Sequence, residues 1–145
     1  MDGQEWRDHI SRYGSLRTYK NFKNELVLEN YLDLKLPSSV IGFYTKLRGG
    51  LSHSEVTTGR WANPPVEYAQ RLCRLCNLNR IEDEAHILFD CPIWTTYRQQ
   101  LHSYHCFAQK NLEGVCSSTD ADFIGDLVKY LQLVLAKKAE ILAIL

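Results

Sequence analysis

The chain's most constraining feature is a set of four soft ligands, Cys73-x2-Cys76-x9-His86-x4-Cys91. Cys73 and Cys76 are three residues apart, so one tight turn can aim both sulfurs at a single ion. His86 and Cys91 are five apart, roughly one and a half helical turns, and can close the other side. Three thiolates and an imidazole make a tetrahedral set, with Zn–S about 2.3 Å and Zn–N about 2.0–2.1 Å. Protein then fills every coordination position and leaves none for an activated water, which marks a structural zinc rather than a catalytic one. The mixed sulfur and nitrogen donors favour zinc over softer or redox-active ions.

A length of 145 residues suits one domain, or one small domain with a terminal extension. Basic and acidic residues balance at 17 each, so no strong global field draws the chain to nucleic acid or to an anionic membrane. With three of the five cysteines assigned to the metal, Cys106 and Cys116 remain. The opening Met1-Asp2-Gly3-Gln4-Glu5-Trp6 has no apolar run of a signal peptide. A reducing, intracellular setting (nucleus or cytoplasm) is therefore expected, and a disulfide framework is not. Lys129, Gln132, Lys137, Lys138 and Glu140 interrupt the apolar stretch 127–145, which excludes a membrane span of about 20 apolar residues there.

Hydrophobic periodicity predicts a mainly α, small helical domain stapled by one Cys3His knuckle with a short β-hairpin. Residues 1–62 are expected to supply amino-terminal helices, 71–92 the knuckle and 93–145 carboxy-terminal helices. Leu16, Tyr19, Phe22 and Leu26 share a helical face. Pro37-Ser38-Ser39 starts a helix with Val40, Phe43, Tyr44 and Leu47 inward, and Gly49-Gly50 ends it. Leu51, Val56 and Trp61 fit either a short helix or an extended segment before the breaker Asn63-Pro64-Pro65. Residues 82–90 read as a short helix, and Pro92 opens another carrying Trp94, Tyr97, Leu101, Tyr104 and Ala108. Residues 109–119 read as a polar loop. Ser118, Thr119 or Asp120 caps a long last helix with Phe123, Leu127, Val134, Ile141 and Leu145 inward.

Several of these residues occur in an order that resembles a known family. Leu47-Arg48-Gly49-Gly50 with Leu51 and His53, then Thr58-Gly59-Arg60-Trp61, then Arg71-Leu72-Cys73 through Cys91-Pro92, is similar to the segment carboxy-terminal to the polymerase of non-LTR retrotransposon reverse transcriptases. Glu82 precedes His86 by four and Pro92 follows Cys91, as that zinc-knuckle pattern has it. The likeness spans roughly residues 40–101 and is most specific in the cysteine–histidine core. It implies a zinc-binding accessory segment for nucleic-acid handling, with Cys73, Cys76, His86 and Cys91 as ligands. No Tyr/Phe-x-Asp-Asp polymerase motif and no nuclease-type carboxylate–lysine set is present, so the resemblance implies a non-catalytic, retroelement-derived module.

Two roles follow from the remaining residues. Arg12, Arg17, Lys20 and Lys23, interleaved with Tyr13, Tyr19 and Phe22 and free of acids from Arg12 to Asn24, form a candidate contact for single-stranded or structured RNA or DNA. The knuckle is expected to repel phosphate: Arg74 and Arg80 oppose Glu82, Asp83, Glu84 and Asp90, and three thiolates around a dication add one more negative charge. The alternative role is a scaffold that binds a protein partner or a second copy through the last helix, ending Ile141-Leu142-Ala143-Ile144-Leu145. His102, His105, Cys106 and Cys116 could compose a second metal site or a nucleophile pair. No orienting acid lies nearby, and half-buried histidines and cysteines on helices are common, so one zinc and no catalysis is the expectation.

Overall fold

The structure, a computed structural model, describes residues 3–12, 29–50, 54–101 and 109–145. They are mainly helical: α1 (Gly3–Arg12), α2 (Ser38–Gly49), α3 (Glu55–Arg60), α4 (Thr95–Gln99), α5 (Leu112–Cys116) and α6 (Ala121–Ile144). Single 3-10 turns lie at Asn30–Asp33, Tyr68–Gln70 and Pro92–Trp94, and a π turn at His86–Asp90.

Helix α6 is the axis of the core. Asp120 caps it, its Oδ1 accepting from the amides of Asp122 (3.0 Å) and Phe123 (3.2 Å), which satisfies two of the donors every helix start leaves open. Phe123, Ile124, Leu127, Val128, Leu131 and Val134 recur at helical spacing and are buried. They share one cluster with Tyr44 and Leu47 of α2 and with Ile87, Leu88, Cys91 and Trp94 from the knuckle side. Helix α2 stops at Gly50, whose φ of 112° is open to glycine and rare for any other residue, as the Gly-Gly pair predicts.

Three expectations change. Residues 109–119 hold α5 rather than an unbroken polar loop: the Asn111 side chain accepts from the amide of Gly114, and Val115 and Cys116 turn into the core. Tertiary bonds fix that short helix, because the Tyr44 hydroxyl donates to the Val115 carbonyl (2.7 Å) and Arg48 Nε to the Cys116 carbonyl (2.8 Å). Leu145 does not face inward; it is 79% exposed. The β-hairpin shrinks to one antiparallel bridge, Leu72 with Ile81, and no strand forms among the described residues. Beyond it the chain turns back through Asn77 and Asn79, both at positive φ. Among the described residues no helix is long and apolar enough to cross a membrane.

Candidate metal centre

The Leu72–Ile81 bridge holds the two ends of a tight loop. Cys73 donates its amide to the Arg80 carbonyl (2.8 Å) and Glu82 donates to the Arg71 carbonyl (3.0 Å). Between them Asn77 and Asn79 adopt φ of 56° and 53°, a left-handed conformation that asparagine tolerates better than most side chains. These two residues turn the chain back on itself, so that Cys73 and Cys76 present sulfur to the same point. The amides of Leu75 and Cys76 bond the Cys73 sulfur, and the Leu78 amide bonds that of Cys76. Such amide donors stabilise thiolate charge.

The other half comes from the π turn. In an α-helix, at about 100° per residue, side chains five apart point roughly 140° away from each other. The wider turn corrects this: the Cys91 amide donates to the His86 carbonyl across five residues, at 2.8 Å. His86 and Cys91 thereby come onto one side. Asp83 starts the turn by accepting the His86 amide at 2.9 Å, and the Ile93 amide bonds the Cys91 sulfur.

The four donor atoms of Cys73, Cys76, His86 and Cys91 all lie within 4.8 Å of one another. Cys73 Sγ and Cys91 Sγ are 4.0 Å apart, and Cys76 Sγ is 3.5 Å from His86 Nε2. A tetrahedron with bonds of about 2.3 Å has sulfur–sulfur edges of roughly 3.8 Å, so the side chains are already arranged as ligands of one ion. Cys73, His86 and Cys91 are buried, while Cys76 is half-buried. As free thiols they oppose each other. The Cys73 thiol is pushed up to about 12, first by its bond to Cys91 and then by burial, while that same bond holds Cys91 below its ordinary value. A bound dication removes the conflict, because all three sulfurs can then ionise.

The acids around the knuckle are not where the charge pattern places them. Glu82 and Glu84 are buried, each 1% exposed. Glu82 Oε1 accepts the Glu55 amide (3.0 Å) and the Lys138 ammonium, joining knuckle, α3 and α6. Lys138 also lies 3.5 Å from Glu55 Oε1. Asp90 is paired with Lys110 at 2.9 Å. Of the four carboxylates in the expected phosphate-repelling face, two lie inside the fold and a third is ion-paired with Lys110. A lysine four positions beyond the buried Val134 reads in sequence as a solvent residue; only the α3–knuckle packing makes it interior.

Arg12 closes α1, with its side chain outside the described residues, as are Arg17, Lys20 and Lys23. His102, His105 and Cys106 also lie outside them. Cys116 is buried, and burial pushes its thiol up to about 12. Sequence reasoning missed Arg98. This buried guanidinium donates to the carbonyls of Cys91 (2.6 Å) and Ile87 (3.4 Å), and Tyr130 donates to the same Ile87 carbonyl (2.7 Å). An arginine seven residues past a candidate ligand carries no sequence signal of that role.

No protein-family model, no curated protein and no solved structure matches this chain.

Proposed function

We propose that the chain is a non-catalytic module built on one structural zinc, a retroelement-type accessory domain that binds nucleic acid. The observation that carries the zinc reading is the convergence of Cys73, Cys76, His86 and Cys91 within 4.8 Å. Three thiolates and one imidazole suit zinc in type and number and leave no open position, so the metal would supply cohesion and no reactive water. Binding of a structural zinc contributes on the order of 10–16 kcal/mol in small zinc peptides, against a typical domain stability of about 5–15 kcal/mol. Removing it should therefore loosen the surrounding core, where Ile87 and Leu88 pack.

The nucleic-acid role is supported by the resemblance of residues 40–101 to the segment beside retroelement polymerases and by the acid-free basic run from Arg12 to Asn24. The test has two parts. Metal analysis of purified protein should find one zinc per chain, and a gel shift with single-stranded RNA and DNA at low salt should show binding. Absence of metal would sink the first claim, and absence of any shift the second.

A scaffold role is favoured by one observation: α6 leaves Leu133 and Ile144 exposed. A size measurement showing a dimer, with no nucleic-acid shift, would select it.

A further inference from the structure

Helix α6 carries a second apolar stripe that the core leaves partly open. Leu135, Ala139 and Leu142 recur at i, i+4 and i+7 and share one face of the helix. Leu135 and Leu142 are half-buried, and Ala139 is exposed. They line a groove of about 270 Å³ together with Glu55 and Thr58 of α3 and Arg74 of the knuckle loop. At about 1.5 Å per residue the stripe runs roughly 10 Å, two turns of α6.

The charges in this groove do not all find partners. Lys138 also lines it, but its buried ammonium bonds Glu82 Oε1 and lies 3.5 Å from Glu55 Oε1. Glu55 is the acid of the lining, and that contact engages it. Arg74 is exposed and meets no carboxylate among the described residues. The groove therefore offers one free guanidinium beside an apolar floor. Arg74 stands between the candidate ligands Cys73 and Cys76, so the loop that gathers the sulfurs also fixes its backbone.

We propose that this groove docks a helical segment of a partner protein. Two apolar side chains at i and i+3 or i+4 of that segment seat on Leu135, Ala139 and Leu142, and a carboxylate one turn away meets Arg74. An apolar stripe on one helix receives another helix whose side chains repeat at the same period. An extended peptide has no ladder to join, because no strand among the described residues offers an edge. The groove is smaller than the roughly 300–1,000 Å³ usual for small-molecule sites and suits a few anchoring side chains. A carboxylate is the anion that a guanidinium holds with two parallel bonds. A second copy of this chain is the poorer occupant: its Glu55 and Glu82 are held by Lys138, and its Glu140 is paired with Lys137 at 3.2 Å. The proposal rests on the scaffold role named above and gives it a surface and a kind of partner.

Selection from a displayed library of random peptides, about four helical turns long, against the zinc-loaded full chain tests it, with affinities of the selected peptides read by fluorescence anisotropy. The selected sequences should share two apolar residues at helical spacing with Asp or Glu one turn away. Arg74→Ala should weaken them about fivefold, the scale of a partly exposed ion pair. Arg74→Glu should weaken them further, and a peptide with Lys in place of its acid should recover binding to that variant, which a merely misfolded loop could not do. Ala139→Glu, at an exposed helical position, should block the groove while zinc content and melting temperature stay unchanged. Basic selected peptides, or acidic ones indifferent to both Arg74→Glu and Ala139→Glu, overturn the groove and leave the scaffold role standing. A dimer that Ala139→Glu splits puts a second copy there and overturns the partner. If no peptide is selected, the groove falls, and the scaffold role falls with it only where the chain also sizes as a monomer.

Discussion

Arg98 donates to the carbonyl oxygen of Cys91 at 2.6 Å, from a position that is itself buried. The contact ties the last of the four candidate ligands to α4, and Tyr130 of α6 completes it through the Ile87 carbonyl. The π turn that aligns His86 with Cys91 thus has its carbonyls bonded from outside. A turn of this width is uncommon and persists where surrounding structure holds it.

Arg98→Ala should therefore destabilise the protein by about 2–3 kcal/mol, the scale of charged hydrogen bonds lost from buried carbonyls. Zinc affinity should fall with it. Arg98→Lys should recover only part, since one ammonium cannot span two carbonyls as the guanidinium fork does. Denaturant titration and competition with a chromophoric chelator read the two effects. An Arg98→Ala protein with unchanged affinity would show that the turn holds itself.

Stripping the metal should reduce the cooperativity of melting and expose the core around Ile87 and Leu88. Cys76→Ser and His86→Ala should do the same without chelator. Cobalt in place of zinc should give thiolate charge-transfer and tetrahedral ligand-field bands, which fade in each variant. Cobalt bands of octahedral type would contradict a closed Cys3His site.

Lys138→Met should cost about 3–5 kcal/mol, because it leaves the Glu82 carboxylate buried without its cation. The double change Glu82→Leu with Lys138→Met should recover most of that loss. Thermal melts of the single and double variants measure the coupling. A loss below about 1 kcal/mol for the single change would mean that water reaches the pair.

Alkaline pH should weaken the fold through Cys116. Burial raises this thiol from an ordinary value of 9.0 to about 12. The unfolded chain releases the proton first, so the contribution is fully present below about pH 9 and is lost between pH 9 and 12. Cys116→Ala should flatten that part of the stability profile of the zinc-loaded protein. An unchanged slope would place the sensitivity elsewhere; Tyr130, also raised to about 12 by burial, is the next group to replace.

Much of this protein is legible in its sequence because the signals are local. Ligand type and spacing announce the Cys3His set. Ser38 through Gly50 and Asp120 onward read as helices because caps, breakers and apolar period agree over adjoining residues. The hairpin is reduced to the single Leu72–Ile81 bridge, with Asn77 and Asn79 turning the chain within a few residues of it, a backbone conformation that spacing alone does not announce. Helix α5 was hidden in a polar run because what holds it, Tyr44 and Arg48, lies about seventy residues away along the chain. The π turn, the burial of Glu82 with Lys138 and the hold of Arg98 on Cys91 were decided only in three dimensions. Each depends on desolvation and directional bonds between segments far apart in sequence, and periodicity within one segment carries no record of those partners.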